Sequence, residues 1–155
     1  MNRESEVALA AIRAVEARDA ETLFGLCHDE VEFQEAPTLP YGGSSSGKEF
    51  LRRQLEEEPQ RTWLGTWGPL QPTERERRMD ARVIATDGET VVVMYRQRAV
   101  AANGERLDAP VLGLYHIRDG KLARAQMFHF DTAAIMRFLA EAPESERQGQ
   151  ETPRV

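Results

Sequence analysis

Apolar and polar positions along this chain repeat with two different periods, and the change of period divides it. From Glu4 to Arg18, Ala8, Ile12 and Val15 recur at helical spacing with Leu9 beside them, while Glu6 and Arg13 fall on another face. Asp19 stands as an N-cap before a second short helical run, Ala20 to Cys27. Val31 to Ala36 alternates as a strand does and stops at Pro37, and Thr38 to Gly47, rich in Pro, Gly and Ser, reads as a loop. Ser46 is placed to cap a third helix, Lys48 to Glu58, with Phe50, Leu51 and Leu55 as its buried face. Pro59 ends that helix. The stretch from there to Pro72 is irregular and carries both tryptophans, Trp63 and Trp67, which either cover a pocket or complete the rim of the core.

Beyond Pro72 the period shortens to that of strands. Four runs, Thr73 to Thr86, Thr90 to Ala101, Arg106 to Arg118 and Lys121 to Phe130, are punctuated by Asp87-Gly88, Asn103-Gly104 and Asp119-Gly120. Such dipeptides tolerate the positive φ that tight hairpins need, so successive hairpins are predicted. A last helix begins at Asp131, which either caps it or points into a cavity. The layout is α+β, a cone-shaped barrel of a curved antiparallel sheet wrapped around N-terminal helices, in one domain over 1–141. Residues 142–155 hold almost nothing apolar and read as a disordered tail.

Composition narrows the function classes. A formal charge of −6, with Arg75, Arg77 and Arg78 interleaved with Glu74, Glu76 and Asp80, gives no surface for nucleic acid. The single cysteine, Cys27, forms no intrachain disulfide and reads as a packed small hydrophobe. No apolar run approaches a bilayer span, and the N-terminus lacks a signal-like apolar stretch, so no membrane association and a cytoplasmic location are expected. The three histidines have no metal-ligand spacing, and neither a metal nor another cofactor is expected.

Two local motifs resemble a known family. Phe33-Gln34-Glu35-Ala36-Pro37 leads to Leu39-Pro40-Tyr41-Gly42-Gly43 and to Gly47 before a helix, and Asp119-Gly120-Lys121-Leu122 is followed by Asp131 and the Ile135, Arg137, Leu139 helix. Over roughly residues 5 to 140 this order resembles the SnoaL-like polyketide cyclases, within the nuclear-transport-factor-like and ketosteroid-isomerase-like superfamily. The resemblance implies an aspartate acid/base at the end of the last strand, matched by Asp131, and a carboxylate on the first strand, matched by Glu35. Limonene-type epoxide hydrolases are similar around the first strand. Their arginine and later aspartate match Arg98 and Asp131, but the position two after the arginine is Val100.

Carboxylates of this kind can take a proton from a carbon next to a carbonyl when burial raises their pKa, while a second group donates to the enolate oxygen. Asp131 is expected as the acid/base with Glu35 as its partner, and His129, of the same strand parity as Asp131, as an orienting group or proton donor. His116 and His28 are weaker candidates. Phe33, Tyr41, Trp63, Trp67, Met79, Tyr95 and Phe128 are the expected wall for a small hydrophobic substrate. Val92, Met94, Leu112 and Leu114 form a second apolar sheet face suited to a homodimer, the common state in the family resembled. A cofactor-independent cyclase or isomerase of a polyketide-like carbonyl compound leads. An epoxide-opening hydrolase or cyclase, and a non-catalytic carrier of a hydrophobic ligand, stay open beside it.

Overall fold

Asn2 starts the first helix by accepting the Ser5 N–H at 2.8 Å, and Glu4 and Glu6 in the first turn suit the positive end of the helix dipole. This helix, α1 (Arg3–Glu16), buries Ala8, Ala11 and Ile12, whose small or branched side chains let it lie close to a sheet. It ends with Arg18 in the left-handed region at φ 59°, where Arg18 N–H reaches Val15 O and Asp19 N–H reaches Ala14 O. That pairing is a Schellman ending with an arginine where glycine is usual. Asp19 then accepts the Thr22 N–H and caps α2 (Ala20–Gly25), as its sequence position foretold. The structure is a computed structural model that describes residues 1–151, with side chains through Ala142.

The remaining elements are β1 (Cys27–Glu35), β2 (Gly43–Ser46), α3 (Lys48–Glu57), α4 (Trp63–Trp67), α5 (Glu74–Arg77), β3 (Arg82–Asp87), β4 (Thr90–Val100), β5 (Arg106–Arg118), β6 (Lys121–His129) and α6 (Thr132–Glu151). Single 3₁₀ turns at Pro59–Arg61 and Gly68–Leu70 flank α4. The strands make one curved, unclosed six-stranded sheet in the order β2-β1-β6-β5-β4-β3. All neighbours are antiparallel except β1 and β6, which run parallel. The predicted hairpins are present. Asp119 (φ 52°) and Gly120 (φ 73°) both take positive φ between the paired Arg118 and Lys121, and Gly104 (φ 88°) closes the turn from Ala101 to Glu105. The first hairpin pairs Asp87 with Thr90, so its loop is Gly88-Glu89, one residue later than the dipeptide suggested.

Several local expectations change. The run from Thr73 does not open as a strand, because Thr73 and Glu76 form a capping box that winds α5 first, with Thr73 Oγ1 donating to Glu76 Oε2 at 2.7 Å. Ser46 does not cap α3; it belongs to β2, paired with Glu32, and Gly47 takes the cap position. Helix α3 has no buried residue: Phe50 is exposed, and Leu51 and Leu55 are half-buried. Cys27 begins β1 rather than ending α2, and it is buried, donating its thiol to Leu23 O at 3.2 Å. Burial pushes that thiol up to about 11.

Two apolar layers result. The inner sheet face, with Val31, Val91, Val93, Val111, Ile117, Leu122 and Ala125, packs on α1. At the far end of the sheet, Ile135, Phe138 and Leu139 of α6 pack on Trp67, Leu70, Ala99 and Ala101, and Trp67 stacks on Phe138 with centroids 6.4 Å apart. No helix among the described residues is long and apolar enough to cross a membrane. Of the tail expected over 142–155, residues 152–155 lie outside the described residues, and no side chain is described past Ala142.

Candidate functional site

A cavity of about 210 Å³ lies between the inner sheet face and the helices. Its walls are mostly apolar: Ile12 and Val15 from α1, Leu23 and Phe24 from α2, Leu51 and Leu55 from α3, Met79 after α5, and Phe33 and Met127 from the sheet. Into this lining β1 delivers a single carboxylate from the sheet, Glu35. Strand alternation explains its direction, because Val31, Phe33 and Glu35 share one face.

Among the described residues, His129 is the close ionisable partner of Glu35. Its Oε2 lies 3.4 Å from Nε2 of His129, and the two side chains are only 10% and 1% exposed. At 3.4 Å the contact is longer than a well-formed N–H···O bond of about 2.9 Å, so it compensates burial only in part. The two influences oppose each other: burial raises the Glu35 pKa above the ordinary 4.5, while the hydrogen bond and charge of His129 pull it back without cancelling the rise. Nδ1 of His129 is buried with no hydrogen-bond partner among the described residues.

All of the chain's tyrosines, Tyr41, Tyr95 and Tyr115, line the same cavity. Burial is the largest cause that raises each phenol's pKa, and the Glu35 charge adds to each, with Tyr115 adding at Tyr95. They therefore remain protonated donors at neutral pH. Tyr41 is held by Trp67, whose indole Nε1 donates to the phenol oxygen at 2.9 Å. Tyr115 lies over Gly113, where an added Cβ would stand 2.8 Å from its hydroxyl. Trp63 lines the cavity and donates Nε1 to Gln97 Oε1 at 3.1 Å. An apolar pocket with one buried carboxylate, a histidine beside it and phenolic donors can move a proton and stabilise a developing oxyanion.

The structure sorts the residues expected from sequence. Glu35, Phe33, Tyr41, Trp63, Met79 and Tyr95 meet at the cavity, with His129 against Glu35. Asp131 does not join them. Strand β6 ends at His129, so the shared parity lapses, and Asp131 is exposed and accepts the Ala134 N–H at 3.0 Å as the cap of α6. Arg98 lies on the opposite sheet face from Tyr95 and Gln97, paired with Asp80 at 2.8 Å and Asp108 at 3.4 Å. The arginine of the epoxide-opening comparison is thus outside the cavity. Trp67 is fully buried behind Tyr41 rather than in the wall, and Phe128, of the opposite parity to His129, is 51% exposed on the outer face. His28 and His116 are both outside the lining, His28 bonding to Arg118 O.

Sequence reasoning missed Tyr115, Gln97 and Arg18. The signal for Tyr115 was present: a glycine inside a strand pattern, Gly113, marks a place where something approaches the backbone closely.

The model of the SnoaL-like domain family matches residues 8–125. The chain belongs to the SnoaL-like family. No curated protein sequence matches it. Among solved structures, TerC co-crystallized with polyporic acid is 20% identical, with a TM-score of 0.67 over 90% of this chain and 99% of that one. An NTF2-like protein of unknown function from Burkholderia pseudomallei K96243 is 17% identical, with a TM-score of 0.64 over 90% of this chain and 98% of its own. A proposed polyketide cyclase from Xanthomonas campestris pv. campestris is 19% identical, with a TM-score of 0.59 over 90% and 96%. At these identities the likeness is one of fold, and the fold of this SnoaL-like chain is NTF2-like.

Proposed function

We propose that this SnoaL-like protein is a cofactor-independent cyclase or isomerase of a hydrophobic, polyketide-like carbonyl compound, with Glu35 as the acid/base and His129 as its partner. The observation that supports the reading is the Glu35 carboxylate, 10% exposed in an apolar cavity, with a pKa raised by burial and one partner at 3.4 Å. A carboxylate so placed is a stronger base than one in water, and proton transfer of this type contributes about 10²- to 10⁴-fold. In the proposed cycle Glu35 removes the proton from the carbon beside the carbonyl. The enolate oxygen takes hydrogen bonds from the cavity phenols, and Glu35 returns the proton after the new bond or double-bond position is set. His129 donates to the Glu35 carboxylate and holds its orientation.

Two copies are proposed to meet through the outer sheet face. Leu112 and Phe128 on that face are 38% and 51% exposed, and Val92, Met94 and Leu114 lie half-buried beside them.

Exchange of the α-protons of 2-tetralone in deuterated water, followed by NMR, tests the chemistry without knowledge of the natural substrate. The protein is expected to accelerate exchange, and Glu35→Gln to reduce that acceleration about 10²-fold or more. Equal exchange by the parent protein and Glu35→Gln would remove the assignment.

A further inference from the structure

Arg18 is the residue of the cavity wall whose placement the acid/base chemistry leaves unused. Its NH1 donates to Val15 O at 3.1 Å, its NH2 donates to Gln71 Oε1, and its guanidinium lies 5.7 Å from the centre of the Trp63 ring. Gln71 is itself 3% exposed, and its Nε2 donates to Arg98 O at 2.8 Å, which turns the Oε1 toward Arg18. The guanidinium is thus held in place on three sides, yet no carboxylate lies within ion-pair distance of it among the described residues. The carboxylate next in sequence, Asp19, is committed to Thr22 N–H and hydroxyl at the start of α2. The charge that acts on Arg18 most is another cation, Arg77, which donates to the backbone oxygens of Gln71 and Pro72.

A second observation is independent of charge. Arg18 occupies the left-handed position that ends α1, at φ 59°, where glycine fits without strain and an L side chain is disfavoured. A long cationic side chain is thus kept at that position half-buried and stacked, with no counter-charge among the described residues. A guanidinium has five N–H donors in a planar fork, and the two hydrogen bonds to Val15 and Gln71 leave the rest open. That fork matches the two oxygens of a carboxylate.

We propose that Arg18 binds the carboxylate of an acidic substrate, so that the cavity takes an amphipathic acid whose apolar body lies between Trp63 and the sheet and whose carbonyl end reaches Glu35. The placement of the carbonyl end rests on the acid/base reading above; the anion site itself does not. Arg61, the other arginine of the wall, is already paired with Glu58 at 3.5 Å and is largely exposed, so it adds to the attraction of an anion without fixing one.

Calorimetric titration of the full chain with 2-naphthoate and with 2-naphthamide, its uncharged counterpart, tests the site. Naphthoate is expected to bind about tenfold or more tightly than naphthamide, as one charged hydrogen-bonded contact should give. Arg18→Gln is expected to bring the two ligands within about twofold of each other while leaving naphthamide where it was. Arg18→Gly, whose backbone suits the left-handed position, is expected to do the same and guards against reading a folding defect as lost recognition. Equal affinities in the parent protein, a naphthoate preference that survives both substitutions, or no naphthoate binding at millimolar concentration would each overturn the proposal. Because Glu35→Gln is expected to lose proton exchange yet keep the naphthoate preference, failure of the acid/base reading and failure of this one appear in different measurements.

Discussion

Glu35 Oε2 and His129 Nε2 lie 3.4 Å apart although 94 positions separate them in the chain. The parallel pairing of β1 with β6, which sets Phe33 beside Ala125 and Gln34 beside Gln126, creates this meeting. A carboxylate on the first strand that lines the cavity thereby becomes the neighbour of a histidine at the end of the last strand.

That burial has a thermodynamic signature. The Glu35 pKa is raised above 4.5, so the native state holds a proton that the unfolded chain releases. Stability is therefore fully present below the unfolded value and is lost as pH rises through the native one. Glu35→Gln removes the loss. Its melting temperature is expected to match the parent protein at about pH 4 and to exceed it at about pH 7.5. A gap that narrows as pH rises would contradict the sign.

Asp131 is expected to matter for folding and not for chemistry. Its carboxylate satisfies the Ala134 N–H, so Asp131→Ala should cost about 1 kcal/mol in urea unfolding, and Asp131→Asn much less. Neither substitution should alter 2-tetralone exchange, whereas a large loss of exchange in Asp131→Asn would return it to the site.

Gly113 makes room for Tyr115. A methyl there would stand 2.8 Å from both Cζ and the hydroxyl of the ring, so Gly113→Ala should destabilise by about 1–3 kcal/mol through overpacking. The penalty is expected to shrink in a Tyr115→Ala background, read by urea midpoints of the four proteins. An undiminished penalty would place its origin in the backbone instead.

The outer sheet face gives a test of assembly. Sedimentation of the parent protein at micromolar concentration should show a dimer, and Leu112→Glu with Phe128→Glu should show a monomer with the fold retained. A monomeric parent protein would leave those side chains without the proposed partner surface.

The hairpins and the α+β layout were legible because turn dipeptides and a two-residue period are local properties. The buried Glu35 was half legible: alternation placed it with Phe33, but its depth depends on β6 and the helices closing over it, which no local pattern encodes. Asp131 was misread because a parity argument holds only while the strand lasts, and β6 stops two residues short of it. Arg98 was separable in principle, since it stands three residues from Tyr95 and an unbroken strand sends such a pair to opposite faces. The roles of Arg18 and Gln97 arise from contacts with Trp63, in a segment whose short helices leave no periodic trace.

The acid/base role of Glu35 turns on one ionisation. A carbon-13 NMR titration of the side-chain carboxyls, with Glu35 assigned through Glu35→Gln and Asp131 through Asp131→Asn, measures it directly. Glu35 is expected to titrate clearly above the ordinary 4.5, and to move further up in His129→Phe, which removes the hydrogen bond and charge that pull it down. A Glu35 that titrates at or below 4.5 would contradict the acid/base site, because a carboxylate of ordinary pKa is not the desolvated base that the cavity is built to hold.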